Sequence, residues 1–225
     1  MDIGKAFTFV TEDERWVGKL GIGVLISLFS FLLIPIPFLW GYMIGVARNV
    51  RDGVTDPMPE WDDWGKLFKD GISVIVAQWV YTIPFWFLMC IAGIGTIGLG
   101  SLTDVNEELA TAGLFSTFGL VCCLFIVFAV ALFFISPAIV IQYITTDDFG
   151  SLFHIGEVFS IAKHNIGNIL LITLALFAAA IVVGLVLGII GLIPCIGQIV
   201  GFIVTLALGP YFLVVGGHLY GQLAE

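Results

Sequence analysis

Few residues in this chain are of a type that does chemistry, and their spacing decides what each can do. His154 and Glu157 stand one helical turn apart, with His164 further along the same segment. A metal centre needs more ligands converging on one face than these supply. His218 stands near Tyr220 at the end of the last apolar run. A hydrogen bond at a membrane interface accounts for it more simply than haem or pigment ligation does. Cys90, Cys122, Cys123 and Cys195 fall inside apolar runs without metal-ligand spacing, so they are expected as small buried packers. Gln78, Tyr81, Gln142 and Gln198 are the other polar groups in or near those runs. They suit hydrogen bonds between helices, and a narrow path for a neutral solute past Gln78 and Gln142 is the sharper alternative. No Lys, Arg, Asp or Glu lies deep in an apolar run. Buried ionisable groups are what proton-coupled pumps, intramembrane proteases and carriers of charged solutes rely on. These residues therefore point to no catalytic site, no cofactor and no metal.

The elements that hold them are membrane helices. Sixty per cent of the 225 residues are apolar and 11% are charged, with a mean hydropathy of +1.12, so the runs need hydrocarbon as their solvent. The first apolar run, 20–47, would be about 42 Å long as one helix, against a hydrocarbon core of about 30 Å. Leu33-Ile34-Pro35-Ile36-Pro37 interrupts it, and both prolines lack an amide donor and disfavour helix just before them. Lys5, Arg15 and Lys19 precede the run, and Arg48, Arg51, Lys66 and Lys69 follow it. A hairpin puts both basic groups on the cytoplasmic side, where the positive-inside rule wants them. A third helix is expected from Gly71 to about Gly98, interrupted at Pro84. Asp104, Glu107 and Glu108 then mark an outer loop, and a fourth helix runs from about Leu114 to Ile144. The last run, 169–220, breaks at Gly191-Leu192-Ile193-Pro194-Cys195-Ile196-Gly197. The expectation is an all-α polytopic bundle of about six membrane segments in one domain, residues 1–225, with both termini cytoplasmic. The first two segments are short enough to form a re-entrant hairpin if protein surrounds them. The late first apolar run, behind Glu12-Asp13-Glu14, does not read as a signal peptide.

A repeat organises these helices. Asp62-Asp63-Trp64-Gly65-Lys66-Leu67-Phe68 recurs as Asp147-Asp148-Phe149-Gly150-Ser151-Leu152-Phe153, and Asp2-Ile3-Gly4-Lys5-Ala6-Phe7 is a weaker copy. Trp16-Val17-Gly18-Lys19-Leu20 is likewise echoed by Asn165-Ile166-Gly167-Asn168-Ile169. Three units, 1–60, 61–145 and 146–225, each an interfacial helix leading into a hairpin, follow from that pattern. Asp62, Asp63, Asp147 and Asp148 are expected to cap helices. Trp16, Trp61, Trp64, Phe68, Phe149 and Phe153 are expected to anchor them at headgroup depth. Thr11 and Glu14 have the spacing of a capping box. Gly41 and Gly45, Gly184 and Gly188, Gly197 and Gly201, and Gly217 and Gly221 have the spacing that lets helices approach closely, within the chain or against a partner.

The opening Asp2-Ile3-Gly4-Lys5-Ala6-Phe7, then Glu12-Asp13 with Trp16, and above all Pro59-Glu60-Trp61-Asp62-Asp63-Trp64-Gly65 resemble the prokaryotic membrane family called domain of unknown function 4013. The resemblance extends over essentially the whole chain, with the distinctive motifs in its first third. More loosely, the layout is similar to the membrane domain attached to some glycerophosphodiester phosphodiesterases, without their catalytic domain. What the resemblance implies is a multi-pass protein of the prokaryotic inner membrane; it carries over no activity and no catalytic residue. The net charge of −9, 17 acids against 8 bases, argues against nucleic acid and against a polybasic lipid patch. The expected partners are membrane lipids and either a protein partner in a membrane complex or further copies of the chain. An accessory or scaffold subunit, or a lipid-organising protein, is the leading reading, and a small transporter or lipid-handling protein for a neutral or apolar substrate is the alternative.

Overall fold

A computed structural model describes residues 1–100 and 107–224. Every regular element among them is helical: α1 (Ile3–Glu12), α2 (Trp16–Leu28), α3 (Ile36–Arg51), α4 (Trp64–Gly100), α5 (Glu107–Thr146), α6 (Ile155–His164), α7 (Ile166–Gly191) and α8 (Ile196–Ala224). Short 3-10 turns cover Ser30–Leu32 and Gly150–Phe153. Among the described residues four helices are long and apolar enough to cross a membrane, within α4, α5, α7 and α8. The 13 residues of α2 and 16 of α3 reach only about 20 and 24 Å.

The first hairpin turns where the prolines predict. After the 3-10 turn Leu33 takes a left-handed φ of 64°, and Pro35 and Pro37 flank the first residue of α3. The α7–α8 turn uses Cys195 at φ 62°, directly before α8. Pro84 behaves differently from expectation, because α4 runs through it without a break, as α5 runs through Pro137 and α8 through Pro210. In hydrocarbon a full break would strand several backbone groups, whereas one proline frees a single carbonyl. Asp104 lies outside the described residues.

Packing centres on α3, which lies between α4 and α8 and antiparallel to α4. Gly41 and Gly71 make this possible: a Cβ on Gly41 would overlap the Leu67 carbonyl, and one on Gly71 the Pro37 carbonyl. On the other side of α3, Gly217 faces the Met43 carbonyl and Gly221 the Ala47 carbonyl. Three buried clusters surround this crossing. One joins α3, α4 and α5 to α6 through Ile44, Val74, Ile139, Ile144 and Val158. A second holds α1 and the segment before α4 through Phe9, Tyr42, Met58 and Leu67. The third seats Ala6 of α1 and Ile172 of α7 against Val215 and Leu219 of α8.

All three clusters lie at one end of the molecule, here called the polar face. Beyond it the two long hairpins separate. No described residue from Gln78 to Phe134 is buried, and from Thr173 to Gly209 only Gly197 is. The cysteines belong to these stretches, and Cys90, Cys123 and Cys195 are exposed, which corrects their expected burial. In lipid, small apolar residues gain nothing by turning inward.

Candidate functional site: a charged network at the polar face

The polar face buries charge that the sequence does not reveal. Arg48, near the end of α3, donates from Nη1 to Asp70 Oδ2 of α4 at 2.9 Å, and from Nη2 to Asp147 just after α5. Its guanidinium lies 6.0 Å over the Tyr143 ring, and the Tyr143 hydroxyl donates to the other Asp70 oxygen at 2.8 Å. Arg48 Nε is buried without a partner among the described residues. A second network joins the α1–α2 junction to the segment before α4. Lys19 Nζ donates to Asp13 Oδ2 at 2.6 Å and to the Met58 carbonyl at 2.7 Å, and it pairs with Glu60 at 3.0 Å. Arg15 pairs with the same Glu60 carboxylate. Burial alone would raise the Asp13 carboxyl pKa, but the Lys19 hydrogen bond, the Arg15 amide and the charges of Lys19 and Arg15 outweigh it and hold it below its ordinary value.

Although no charge lies deep in an apolar run, Asp13, Lys19 and Asp70 are all buried. They sit at the edges of apolar runs, where only the return of the chain covers them. The basic groups of 1–19 and 48–70 meet on one face because α2 and α3 fold back as a hairpin.

The two strongest copies of the repeated motif converge here. Asp63, Gly65 and Lys66 of the first and Asp147 of the second line one cleft with Arg48, Lys69, Asp70 and Tyr143. Asp63 accepts the Lys66 amide at 2.9 Å, and Asp148 the Ser151 amide at 2.8 Å, each closing a first turn. Asp2 does the same for the Lys5 amide at 2.9 Å. Among the described residues Asp62 accepts only the neighbouring Asp63 amide. Asp147, at φ 52°, gives its carboxylate to Arg48 rather than to a helix end. Thr11 does not open a capping box either, because it lies inside α1 and its hydroxyl donates to the Thr8 carbonyl. Asp13 takes the place at the junction, accepting the Arg15 amide at 2.7 Å. Short helices, α1 and α6, stand ahead of the α2–α3 and α7–α8 hairpins. Ahead of the α4–α5 hairpin the expected separate helix is missing, since Trp64 to Phe68 form the opening turns of α4 itself.

The aromatic residues divide between inside and outside. Trp61 stacks on Tyr42 with ring centroids 4.2 Å apart and donates its indole N–H to the Lys19 carbonyl at 3.0 Å. It therefore pins the segment before α4 from within. Trp16 is half-buried against the second cluster. Trp64 and Phe68 are exposed and pack on Phe38, and exposed Phe149 meets half-buried Phe153 edge-on. Gly41 is buried at the α3–α4 crossing and Gly45 faces Pro59, whereas Gly184 and Gly188 are exposed with open space around them. Gln78 donates to the Ser136 hydroxyl of α5 at 3.0 Å, and Gln142 to the Glu157 carboxylate of α6 at 2.7 Å. The Tyr81 hydroxyl donates to the Leu152 carbonyl at 3.0 Å, and Gln198 is exposed. His154 and Glu157 are exposed, 3.4 Å apart. Among the described residues no group of three or more His, Cys, Asp or Glu side chains could hold a metal ion.

Arg48, Asp70 and Asp13 are the residues that sequence reasoning missed. Their signal was positional: each is a charge within a turn or two of an apolar run, and each finds its partner through the fold.

No curated protein and no solved structure matches the chain. The model of the family described as protein of unknown function, DUF4013, matches residues 24–193, and the chain belongs to that family.

Proposed function

We propose that the protein is a non-catalytic membrane subunit that scaffolds a larger assembly or organises lipid around it. The observation that carries this reading is the contrast between its two halves. The polar face is locked by buried ion pairs and three apolar clusters, while the α4–α5 and α7–α8 hairpins leave it almost unpacked, with Trp86, Phe87, Phe118, Phe125, Phe177 and Phe202 exposed. Such hairpins are arms whose apolar surface is covered by lipid or by another protein's membrane helices. The α2–α3 hairpin, too short to cross, is a re-entrant plug seated between them, so that the chain has six membrane segments. Aspartate caps at Asp2, Asp63 and Asp148 and the helix breaks before Trp16 and Ile166 support three related units. The polar face is cytoplasmic and the membrane is the prokaryotic inner membrane, in keeping with the basic residues gathered there.

Purification from native membranes in mild detergent, with mass spectrometry of what accompanies the protein, tests the reading. A stoichiometric protein partner, or a retained lipid class, is the expected result. Recovery of the protein alone and free of lipid would overturn it.

One observation favours a second reading, a carrier or lipid-handling protein. Between α3 and α4 runs an apolar groove lined by Ile36, Trp40, Ile75, Trp79 and Trp86, a shape suited to an acyl chain. Transport or lipid exchange by the purified protein in vesicles, lost in Trp79→Ala, would favour that reading over the first.

A further inference from the structure

A second cavity, of about 530 Å³, opens on the polar face on the side away from Arg48. It lies between the start of α1, the loop after α3 and the end of α8, and His218, Lys5, Asp2, Thr55, Phe9 and Val54 are among its lining residues. Its size falls in the range of small-molecule sites.

The hydrogen bonds around His218 settle its tautomer. Gln222 Oε1 accepts the Asp2 amide at 2.6 Å, so the other end of that amide group is the donor. Gln222 Nε2 accordingly donates to the Asp2 carbonyl at 3.1 Å and to His218 Nδ1 at 2.9 Å. A neutral imidazole whose Nδ1 accepts must carry its proton on Nε2. The ring is only 4% exposed and is held against Phe9 at 4.3 Å between centroids. Among the described residues Nε2–H has no acceptor, and it is not sealed off; the open space His218 borders is this cavity. A buried, oriented donor without an acceptor is costly unless something in the cavity accepts from it.

The second donor is Lys5, which is exposed on the same cavity and makes no ion pair with any of the described residues. Asp2 limits the charge the site can take. Its Oδ1 already accepts the Lys5 amide, but the carboxylate stays close enough to disfavour a doubly charged guest. The apolar wall of Phe9 and Val54 leaves room for an organic body on the bound group.

We propose that this cavity is an anion site for a singly charged phosphate group, bound by His218 Nε2–H and the Lys5 ammonium. The group comes either from a soluble phosphate compound or from the headgroup of a phospholipid reaching the polar face. The proposal does not depend on the scaffold reading, because the cavity lies away from the exposed hairpins.

The test uses the full chain, labelled with 15N-histidine and purified in an uncharged maltoside detergent. The His218 Nε2–H resonance is followed during titration with inorganic phosphate in mildly acidic buffer and, separately, with phosphatidylglycerol. A saturable shift with inorganic phosphate alone supports the site and assigns the soluble source. A shift with phosphatidylglycerol only supports the site and assigns the headgroup. No saturable shift with either overturns the proposal. Lys5→Met is expected to weaken binding about tenfold. Because Lys5 is exposed, this variant keeps the fold if His218→Phe does not, and unchanged affinity in it would overturn the proposal as well.

Discussion

Lys19 and Asp13, six residues apart on either side of the α1–α2 junction, form an ion pair at 2.6 Å with side chains only 6% and 7% exposed. The pair turns the entrance to the first membrane hairpin into a fixed corner. Through the Met58 carbonyl, Glu60 and the Trp61 indole, the same lysine draws in the segment that leads to α4. One side chain thus orders two stretches of chain some 40 residues apart.

Removing one partner should therefore cost more than a surface charge would. Lys19→Met leaves the Asp13 carboxylate and the Met58 carbonyl short of a donor, for about 1–3 kcal/mol. The pH dependence follows from the depressed Asp13 pKa. A carboxyl whose folded pKa lies below its ordinary 3.8 binds its proton less readily in the folded chain than in the unfolded one. Its stabilisation is complete above 3.8 and is lost as pH falls through the lower folded value. Thermal unfolding in detergent followed from neutral pH down to below 3.8 should show that loss, and Asp13→Asn should flatten it. An unchanged acid profile in Asp13→Asn would sink the assignment.

Two glycine substitutions separate packing from mere spacing. Gly71→Ala puts a methyl group into the Pro37 carbonyl, so α3 and α4 must move apart, at about 1–3 kcal/mol. Gly184→Ala meets nothing and should be neutral or slightly stabilising, since alanine favours helix by up to about 1 kcal/mol over glycine. Folded yield and melting temperature of the two variants check this, and equal effects would contradict the packing described.

Asp147 combines an ion pair with a backbone angle that β-carbon residues avoid. Asp147→Ala should lose the pair and keep the strain, whereas Asp147→Gly loses the pair and relieves the strain. The glycine variant is expected to be the more stable by about 1 kcal/mol. The reverse order in thermal unfolding would remove the strain from the account.

The caps at Asp63 and Asp148 predict that Asp63→Ala with Asp148→Ala lowers the membrane yield. Each change should cost about 0.5–2 kcal/mol, and the two should nearly add, because they close the first turns of different elements. Unchanged levels and melting temperature in the double variant would deny them a structural role.

Much of this fold is legible without coordinates, because hydrocarbon imposes local rules. An apolar run must be helical to satisfy its own backbone. Pro35 and Pro194 therefore mark turns, where two flanking helices can each end. The aspartates at positions 2 and 63 mark helix starts, and Asp148 marks a 3-10 turn, since their partners stand three residues on. Pro84 shows where local reading fails: the residue is a helix breaker in water, yet α4 passes through it.

What tertiary structure alone decided is which of several equivalent residues meet a partner. Nothing local distinguishes Gly41 from Gly184, although the first lies against Leu67 and the second faces open space. Trp61 and Trp64 stand three residues apart, and only Trp61 is turned inward, onto Tyr42 and the Lys19 carbonyl. Arg48 finds Asp70 and Asp147 across 22 and 99 residues of chain. Helix formation is set by neighbours in sequence and by the solvent. Pairing across the molecule depends on how helices cross, and that crossing exists only once α3 has settled between α4 and α8.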